Sequence, residues 1–285
     1  MNSETKIAYL GPAGTFTEQA LKSQADLATC QLIEYPKFAD VLTATSNGEV
    51  DYGFVAIENA LEGTVNITLD ALVFDHELLI TRQVDLDIKL DLMGPAGLAK
   101  SDIETVMSHP VALAQCRGFL DSELAKANTM PANSTSAAAK LASGTPNTAA
   151  LANSLAAELH GLEVIEKDIA DHKLNKTRFT LVAKSGTPEP TSNDQTTIVV
   201  FQDKDKPGSL VSILQEFAAR KINLTRIASR PIKTKEMGNY CFIIEFDGHV
   251  DDDLVKGCLD EIKSTHADIK FLGSYPSINE NPSGI

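Results

Sequence analysis

Short apolar runs alternate with amphipathic stretches through the first 184 residues. Lys6–Leu10 reads as a strand, Gly11-Pro12-Ala13-Gly14 as a turn, and a helix follows with Thr15 as N-cap. Glu18 stands three residues after Thr15, which is capping-box spacing. Tyr52–Ile57 is a compact apolar run of the kind that forms a buried strand. It leads through Glu58–Gly63 into a helix expected from near Thr64 to about Asp75. Val106–Ser108 ends another strand, and Pro110 suits the first position of a helix carrying Val111, Ala114 and Phe119. Ser134 or Thr135 caps an Ala-rich helix. Thr148–His160 reads as a further helix, stopped by Gly161. Leu162–Ile169 and Arg178–Ala183 read as strands. Strands alternating with helices predict an α/β fold with a largely parallel sheet.

Residues 185–194, SGTPEPTSND, carry two prolines and a glycine among small polar residues with no apolar period, a linker composition. Beyond it the pattern becomes strand Thr196–Phe201, turn 203–208, helix Ser209–Arg220, and strands Asn223–Arg230 and Tyr240–Phe246 punctuated by Gly238 and Gly248. A helix Asp251–Ser264 and a strand Ile269–Ser274 complete it. The order βαββαβ is the ferredoxin-like motif.

Composition narrows the function. The chain has 285 residues, 43% of them hydrophobic and 22% charged, which is ordinary globular usage for one large domain or two smaller ones. The net charge of −14 divides into −12 over residues 1–194 and −2 over 195–285, so neither part has the basic excess of a nucleic-acid binder. No apolar run approaches the ~18 residues of a membrane span, and the N-terminus lacks the pattern of a secretory signal. Cys30, Cys116, Cys241 and Cys258 have neither zinc-knuckle nor dithiol spacing. They read as reduced thiols of a cytoplasmic protein. Walker, dinucleotide, zinc-protease and nucleophile-elbow motifs are all missing.

Several segments carry candidate chemistry. The 11–14 turn either cradles an anion at a helix start or is a plain tight turn. Asn175-Lys176-Thr177-Arg178-Phe179 sets an arginine beside a hydroxyl at the entry to an apolar strand. That is either a bidentate carboxylate clamp with a nearby donor or a solvated loop entering an edge strand. Glu58-Asn59 and Ser108-His109-Pro110 each close a strand, where ligands sit in open α/β sheets, though each can equally cap the helix that follows. His109 alone reads as a structural hydrogen-bonder and Cys116 as core. Asp251-Asp252-Asp253 complements a helix dipole.

Taken together, GPAGTFTEQA (11–20), AIENALEGTV (56–65), SHPVALAQC (108–116), HGLEVI (160–165), NKTRF (175–179) and TRIASRP (225–231) resemble the prephenate dehydratase family in its monofunctional form, with a C-terminal ACT regulatory domain. The resemblance implies a two-lobed α/β catalytic domain over 1–184, similar to type II periplasmic binding proteins. Lobe one would span about 1–78 and 172–184, and lobe two about 79–171. A linker (185–194), an ACT domain (195–275) and a tail (276–285) follow. It implies decarboxylative dehydration of prephenate to phenylpyruvate in phenylalanine biosynthesis, with no cofactor.

By the same carry-over, Thr177 is the catalytic hydroxyl at the leaving oxygen. Arg178 would hold the pyruvyl carboxylate, because clamping the ring carboxylate would oppose its loss, and Phe179 would dry the pocket. Thr15, Asn59, Ser108 and Gln115 would line the substrate cleft. In the ACT part, Pro207, Gly208, Ser209 and Leu210, with Ser229, Arg230 and Pro231, match the positions that bind phenylalanine between paired domains, implying a homodimer or homotetramer. Ser209 replaces the usual Ala and Ala228 the usual Glu. Loss of a charge-assisted bond worth ~1.5–3 kcal/mol predicts a weakened or altered effector response. Ala60 and Val111 also depart from the family pattern. Arogenate dehydratase is the rival enzyme, and a non-catalytic aromatic amino-acid sensor the rival of another class.

Overall fold

The computed structural model describes residues 1–202, 207–232 and 240–278. Residues 203–206 of the turn expected at 203–208, Gly238, and residues 279–285 of the expected tail lie outside the described residues. The strands are β1 Lys6–Leu10, β2 Gln31–Tyr35, β3 Tyr52–Asn59, β4 Gly63–Thr64, β5 Leu79–Asp87, β6 Asp91–Gly94, β7 Thr105–Ser108, β8 Asn128–Pro131, β9 Thr148–Ala152, β10 Glu163–Glu166, β11 Lys176–Ala183, β12 Asp194–Gln202, β13 Leu224–Pro231, β14 Tyr240–Asp247 and β15 Ala267–Pro276. The helices are α1 Phe16–Lys22, α2 Phe38–Asn47, α3 Asn66–Asp70, α4 Pro110–Gln115, α5 Arg117–Glu123, α6 Thr135–Ser143, α7 Ser154–His160, α8 Ser209–Ala219 and α9 Asp253–Thr265. The strands form three sheets, ordered β2-β1-β3-β11-β5 (with β4 beside β3), β10-β6-β9-β7-β8, and β13-β14-β12-β15. The fold is α/β, as the sequence predicts.

The chain divides into two compact units. The first holds Met1–Val41, Phe54–Val65 and Asp85–Phe179. Its complete five-stranded sheet is covered on both faces. Leu92, Val106, Ala149 and Leu151 pack with Ala112, Cys116 and Leu120 of the α4–α5 region. Their strand neighbours Met93, Met107, Ala150 and Ala152 pack with α6 and α7 alanines. This double burial corrects the expected helix over Thr148–His160. Its first half is β9, buried at all five positions, and only Ser154–His160 is helical, capped by Asn153 and ended by left-handed Gly161. Alanine favours helices, and a strand buried on both faces shows no polar alternation to betray it. The sheet is also mixed rather than largely parallel: β7 runs parallel to β8 and β9, while β6 opposes β9 and β10. The strand expected over Leu162–Ile169 is confined to Glu163–Glu166.

Two helix starts differ from expectation. Thr15 is the N-cap of α1, but its side chain makes no capping bond and instead donates to the Leu10 carbonyl at 3.3 Å. Glu18 reaches one residue further back and accepts the Gly14 N–H at 2.5 Å. The helix expected from Thr64 starts at Asn66, because Gly63 and Thr64 pair back onto Asn59 and Glu58. It then widens over Ala71–Asp75, where the His76 N–H reaches the carbonyl of Ala71, five residues back, at 2.9 Å. That is a π-helical turn.

The second unit holds Leu42–Gly53, Asn66–Val84 and the described residues from Thr180 on. Its β12-α8-β13-β14-α9-β15 order and fully antiparallel sheet are the predicted ferredoxin-like motif. One sheet face, with Ile198, Val200, Ile244 and Phe246, packs on α8 and α9. The other face carries segment 66–84. Gly273 at φ +141° lies so close to it that a β-carbon there would sit 2.2 Å from the Ile80 carbonyl oxygen. Tyr275, fully buried, accepts the Gln83 side-chain N–H at 3.0 Å.

Candidate active site

The carboxyl ends of β1, β2, β3 and β7 and the start of β11 bound a cavity of about 800 Å³ in the first unit. That volume suits a small-molecule ligand. Three helices begin on its wall, at Thr15–Phe16, His109–Val111 and Ser134–Thr135. Among the described lining residues there is no lysine or arginine, while Glu34 and Glu62 are carboxylates. Glu34 is engaged by the Ala13 N–H at 2.9 Å.

Asn59 organises the chemical end. Its Oδ1 accepts the N–H groups of Leu61 at 3.0 Å and Glu62 at 2.9 Å, closing the turn after β3. These two donors fix the amide orientation, so Nδ2 must point the other way. Nδ2 donates to Thr177 Oγ1 at 2.8 Å and to Asn175 Oδ1 at 2.9 Å. Asn175 Nδ2 in turn donates to Gln115 Oε1 at 3.2 Å. Thr177, nine-tenths buried, therefore accepts a hydrogen bond from Asn59, and among the described residues its own O–H has no acceptor. A hydroxyl held in this way is set to donate to a ligand in the cavity.

Strand alternation sorts the NKTRF segment. Thr177 and Phe179 line the cavity, and Phe179 is buried and stacked on Phe54 with ring centroids 5.2 Å apart. Arg178, expected at a substrate carboxylate, is not among the lining residues. Its fork is held by Asp85, Nε to Oδ1 at 2.9 Å and Nη2 to Oδ2 at 3.1 Å. Thr15, Asn59 and Gln115 do line the cavity. Ser108, expected beside them, does not: it is fully buried and donates to the Leu151 carbonyl at 2.6 Å, tying β7 to β9. Its neighbour His109 lines the wall and caps α4 through Nδ1, which accepts the Val111 N–H. Val111 lines the cavity too, whereas Ala60 does not. Sequence reasoning passed over Asn175 as a separate participant, although it opens the motif. Asp85 gave no local signal, being 93 residues from its partner.

Burial and neighbouring charge weaken several side-chain acids in the two units. Tyr9 is raised well above the ordinary phenol range, first by burial and then by Glu18 and Glu34. Burial, reinforced by Asp171, pushes the Cys116 thiol up to about 12. Burial likewise raises Cys241 and Cys258 to about 11. All four cysteines are free and buried. Thiol reagents act on the thiolate, so the folded protein is expected to resist labelling at neutral pH, with four thiols reacting once it is unfolded in denaturant. Rapid labelling of the folded chain, read by mass spectrometry, would contradict this assignment.

In the second unit, Gly208 in a left-handed conformation precedes Ser209 and Leu210 at the start of α8, and Pro207 is exposed. On β13, Ser229 and Pro231 are exposed, while Arg230 between them is turned to the other face. There it forms a fork on Asp70, Nε to Oδ1 at 2.8 Å and Nη2 to Oδ2 at 2.9 Å. Its Nη1 donates to Asn66 Oδ1 at 2.9 Å.

Comparison with known proteins agrees with this arrangement. A family model for prephenate dehydratase matches residues 7–187, and one for the ACT domain matches residues 196–263. The prephenate dehydratase of Mycolicibacterium vanbaalenii is 39% identical over 285 residues, covering 95% of this chain and 91% of that protein. The crystal structure of prephenate dehydratase from Arthrobacter aurescens in complex with L-Phe superposes with a TM-score of 0.89 at 38% identity, covering 99% of this chain and 93% of the other. GqqA, described as a novel type of quorum-quenching acylase, shares the fold at a TM-score of 0.85 and 27% identity, covering 95% and 98%. The chain belongs to the prephenate dehydratase family and carries that family's ACT domain.

Proposed function

We propose that this protein converts prephenate to phenylpyruvate, CO₂ and water under control by L-phenylalanine, with Thr177 as the group that helps the ring hydroxyl depart. The observation that carries the reading is the Thr177 hydroxyl, which accepts a hydrogen bond from Asn59 and keeps its own O–H to donate one to the departing oxygen. When the ring carboxylate leaves as CO₂, its bonding pair enters the ring and the C–OH bond at the opposite carbon breaks. Negative charge then develops on the departing oxygen, and a pre-placed donor is most effective there. The ring becomes aromatic, so no external electron acceptor is needed.

The substrate is a dianion, and among the described lining residues there is no lysine or arginine to meet it. Helix starts and the Thr135, Ser134 and Gln115 side chains take the pyruvyl carboxylate in this reading. Arg178 then acts from behind the strand, its fork on Asp85 holding Thr177 in register. The lack of lysine and arginine among the described lining residues also leaves the ring carboxylate loosely held, which favours its loss. Ser108 supports the site by fixing β7.

An acylase reading, raised by GqqA, finds no support at Thr177. A nucleophilic hydroxyl needs a base to take its proton, and the partner of Thr177 is an amide donor. Prephenate and arogenate differ by a keto group against an ammonium. Incubation of the purified protein with each, near neutral pH and without added cofactor, decides between them. Phenylpyruvate from prephenate is the expected product. Phenylalanine formed mainly from arogenate would keep the mechanism and change the substrate, and binding without turnover of either would favour a sensor.

The effector is assigned to the loop 207–210 and the exposed face of β13 at Ser229 and Pro231. Pairing of two ACT domains into a homodimer, or a tetramer of such pairs, belongs to the same reading. So does a cytoplasmic location, which suits four free thiols. Light scattering of the purified chain tests the assembly.

A further inference from the structure

Segment 66–84 is held by the ACT sheet at four points, all on the sheet face opposite α8 and α9. Arg230 on β13 grips Asp70 and Asn66 of α3. Lys270 on β15 donates to the Val73 carbonyl at 3.2 Å, the His76 carbonyl at 2.8 Å and Glu77 Oε1 at 2.9 Å, capping the π-helical turn. Gly273 meets Ile80, and Tyr275 meets Gln83. β13 and β15 are the two edges of the sheet, roughly 14 Å apart at ordinary strand spacing. The helical stretch 66–76 is about 15 Å long, so the two cations pin it near its two ends.

Both exits of this segment lead to Thr177. Upstream, the chain runs from Asn66 back through β4 to Asn59, whose amide donates to the Thr177 hydroxyl. Downstream, Val84 is followed at once by Asp85, which holds Arg178 beside Thr177. We propose that segment 66–84 is the element through which the ACT domain acts on catalysis, and that Arg230 is its coupling residue rather than a ligand of the effector. The guanidinium has its fork on Asp70 and its third nitrogen on Asn66, and it lies on the face opposite Ser229 and Pro231. A shift of β13 relative to β15 changes the register of the segment and, through its two ends, the placement of the Asn59 amide and of Asp85. The proposal rests on the dehydratase reading for its activity readout.

The test uses Asp70→Asn, which breaks the charged fork, and Lys270→Met, which releases the other end, in the full chain. Calorimetry reads L-phenylalanine binding, prephenate turnover reads inhibition, and hydrogen exchange over residues 57–65 reads the coupling without turnover. The expected result is effector affinity and uninhibited kcat within about twofold of the parent protein, while the inhibiting concentration rises at least about tenfold. The exchange change on adding L-phenylalanine should vanish over 57–65 in both variants. Affinity and inhibition falling together would return Arg230 and its partners to the effector site. Unchanged inhibition and exchange in both variants would also overturn the proposal. A parent protein that binds L-phenylalanine but turns over no prephenate would remove the catalytic reading alone, with exchange still deciding the coupling. A parent that does not bind it would remove the effector.

Discussion

Thr177→Ala is expected to lower kcat for prephenate by about 10²–10³-fold, the usual loss when one donor to a developing oxyanion is removed. KM should move by less than about threefold, because an interaction made mainly in the transition state appears in kcat. The hydroxyl is nine-tenths buried and accepts from Asn59, so its loss also leaves an Asn59 N–H short of one acceptor inside the cavity wall. Asn175 Oδ1 and, at 3.4 Å, the Lys176 carbonyl remain, which limits the structural cost. Thr177→Ser keeps the hydroxyl on a less restricted rotor and should retain activity within about tenfold. Steady-state phenylpyruvate formation checks all three proteins. An alanine variant with near-parental kcat would remove Thr177 from the chemistry.

The second large effect is Asn59→Asp, a change of one atom. The turn is preserved, since a carboxylate oxygen accepts the Leu61 and Glu62 N–H groups as the amide oxygen does. The donor to Thr177 is lost. The new carboxylate instead accepts the Thr177 proton, which reverses the hydrogen bond and withholds that proton from the leaving oxygen. It also faces the Asn175 Oδ1 that Asn59 now satisfies. Misdirecting a charge-assisted bond worth ~1.5–3 kcal/mol corresponds to roughly 10- to 150-fold in rate. We expect a fall of about 10²-fold in kcat/KM with a melting temperature close to the parent's. A variant that unfolds early would show that the amide matters to stability instead, and Asn59→Ser, which keeps a smaller neutral acceptor for the turn, separates the two.

The ACT part of the second unit was legible to within two residues, whereas the π-helical turn at Ala71–Asp75 was not. The ACT edge strand β13 alternates in exposure, the ACT helices are amphipathic, and both follow from local chemistry. The first unit was legible where caps and turns speak, as at Ser134, Pro110 and Gly161. It misled where burial removes polarity, as in β9. The site divides in the same way. Thr177, Asn59 and Gln115 were marked by motif and do share a cavity. Ser108 and Arg178 were marked by the same motifs, but their partners, Leu151 and Asp85, lie 43 and 93 residues away. Nothing in a local window shows that a hydroxyl is already donated or a guanidinium already paired.

Gly273 bears on how the protein can be cut. The sequence offers residues 185–194 as the natural break, yet β15 lies past it and packs against Ile80 and Gln83, which lie before it. Ending the chain at Lys184 strips the cover from segment 66–84, and the isolated C-terminal piece exposes Val199, Cys241 and Ile243, all buried in the whole protein. Exposed apolar patches of this kind promote association. A clone truncated at the linker is expected to yield an aggregating, dye-binding chain rather than a smaller enzyme, whereas a soluble, cooperatively melting 1–184 fragment would show that the two halves fold apart.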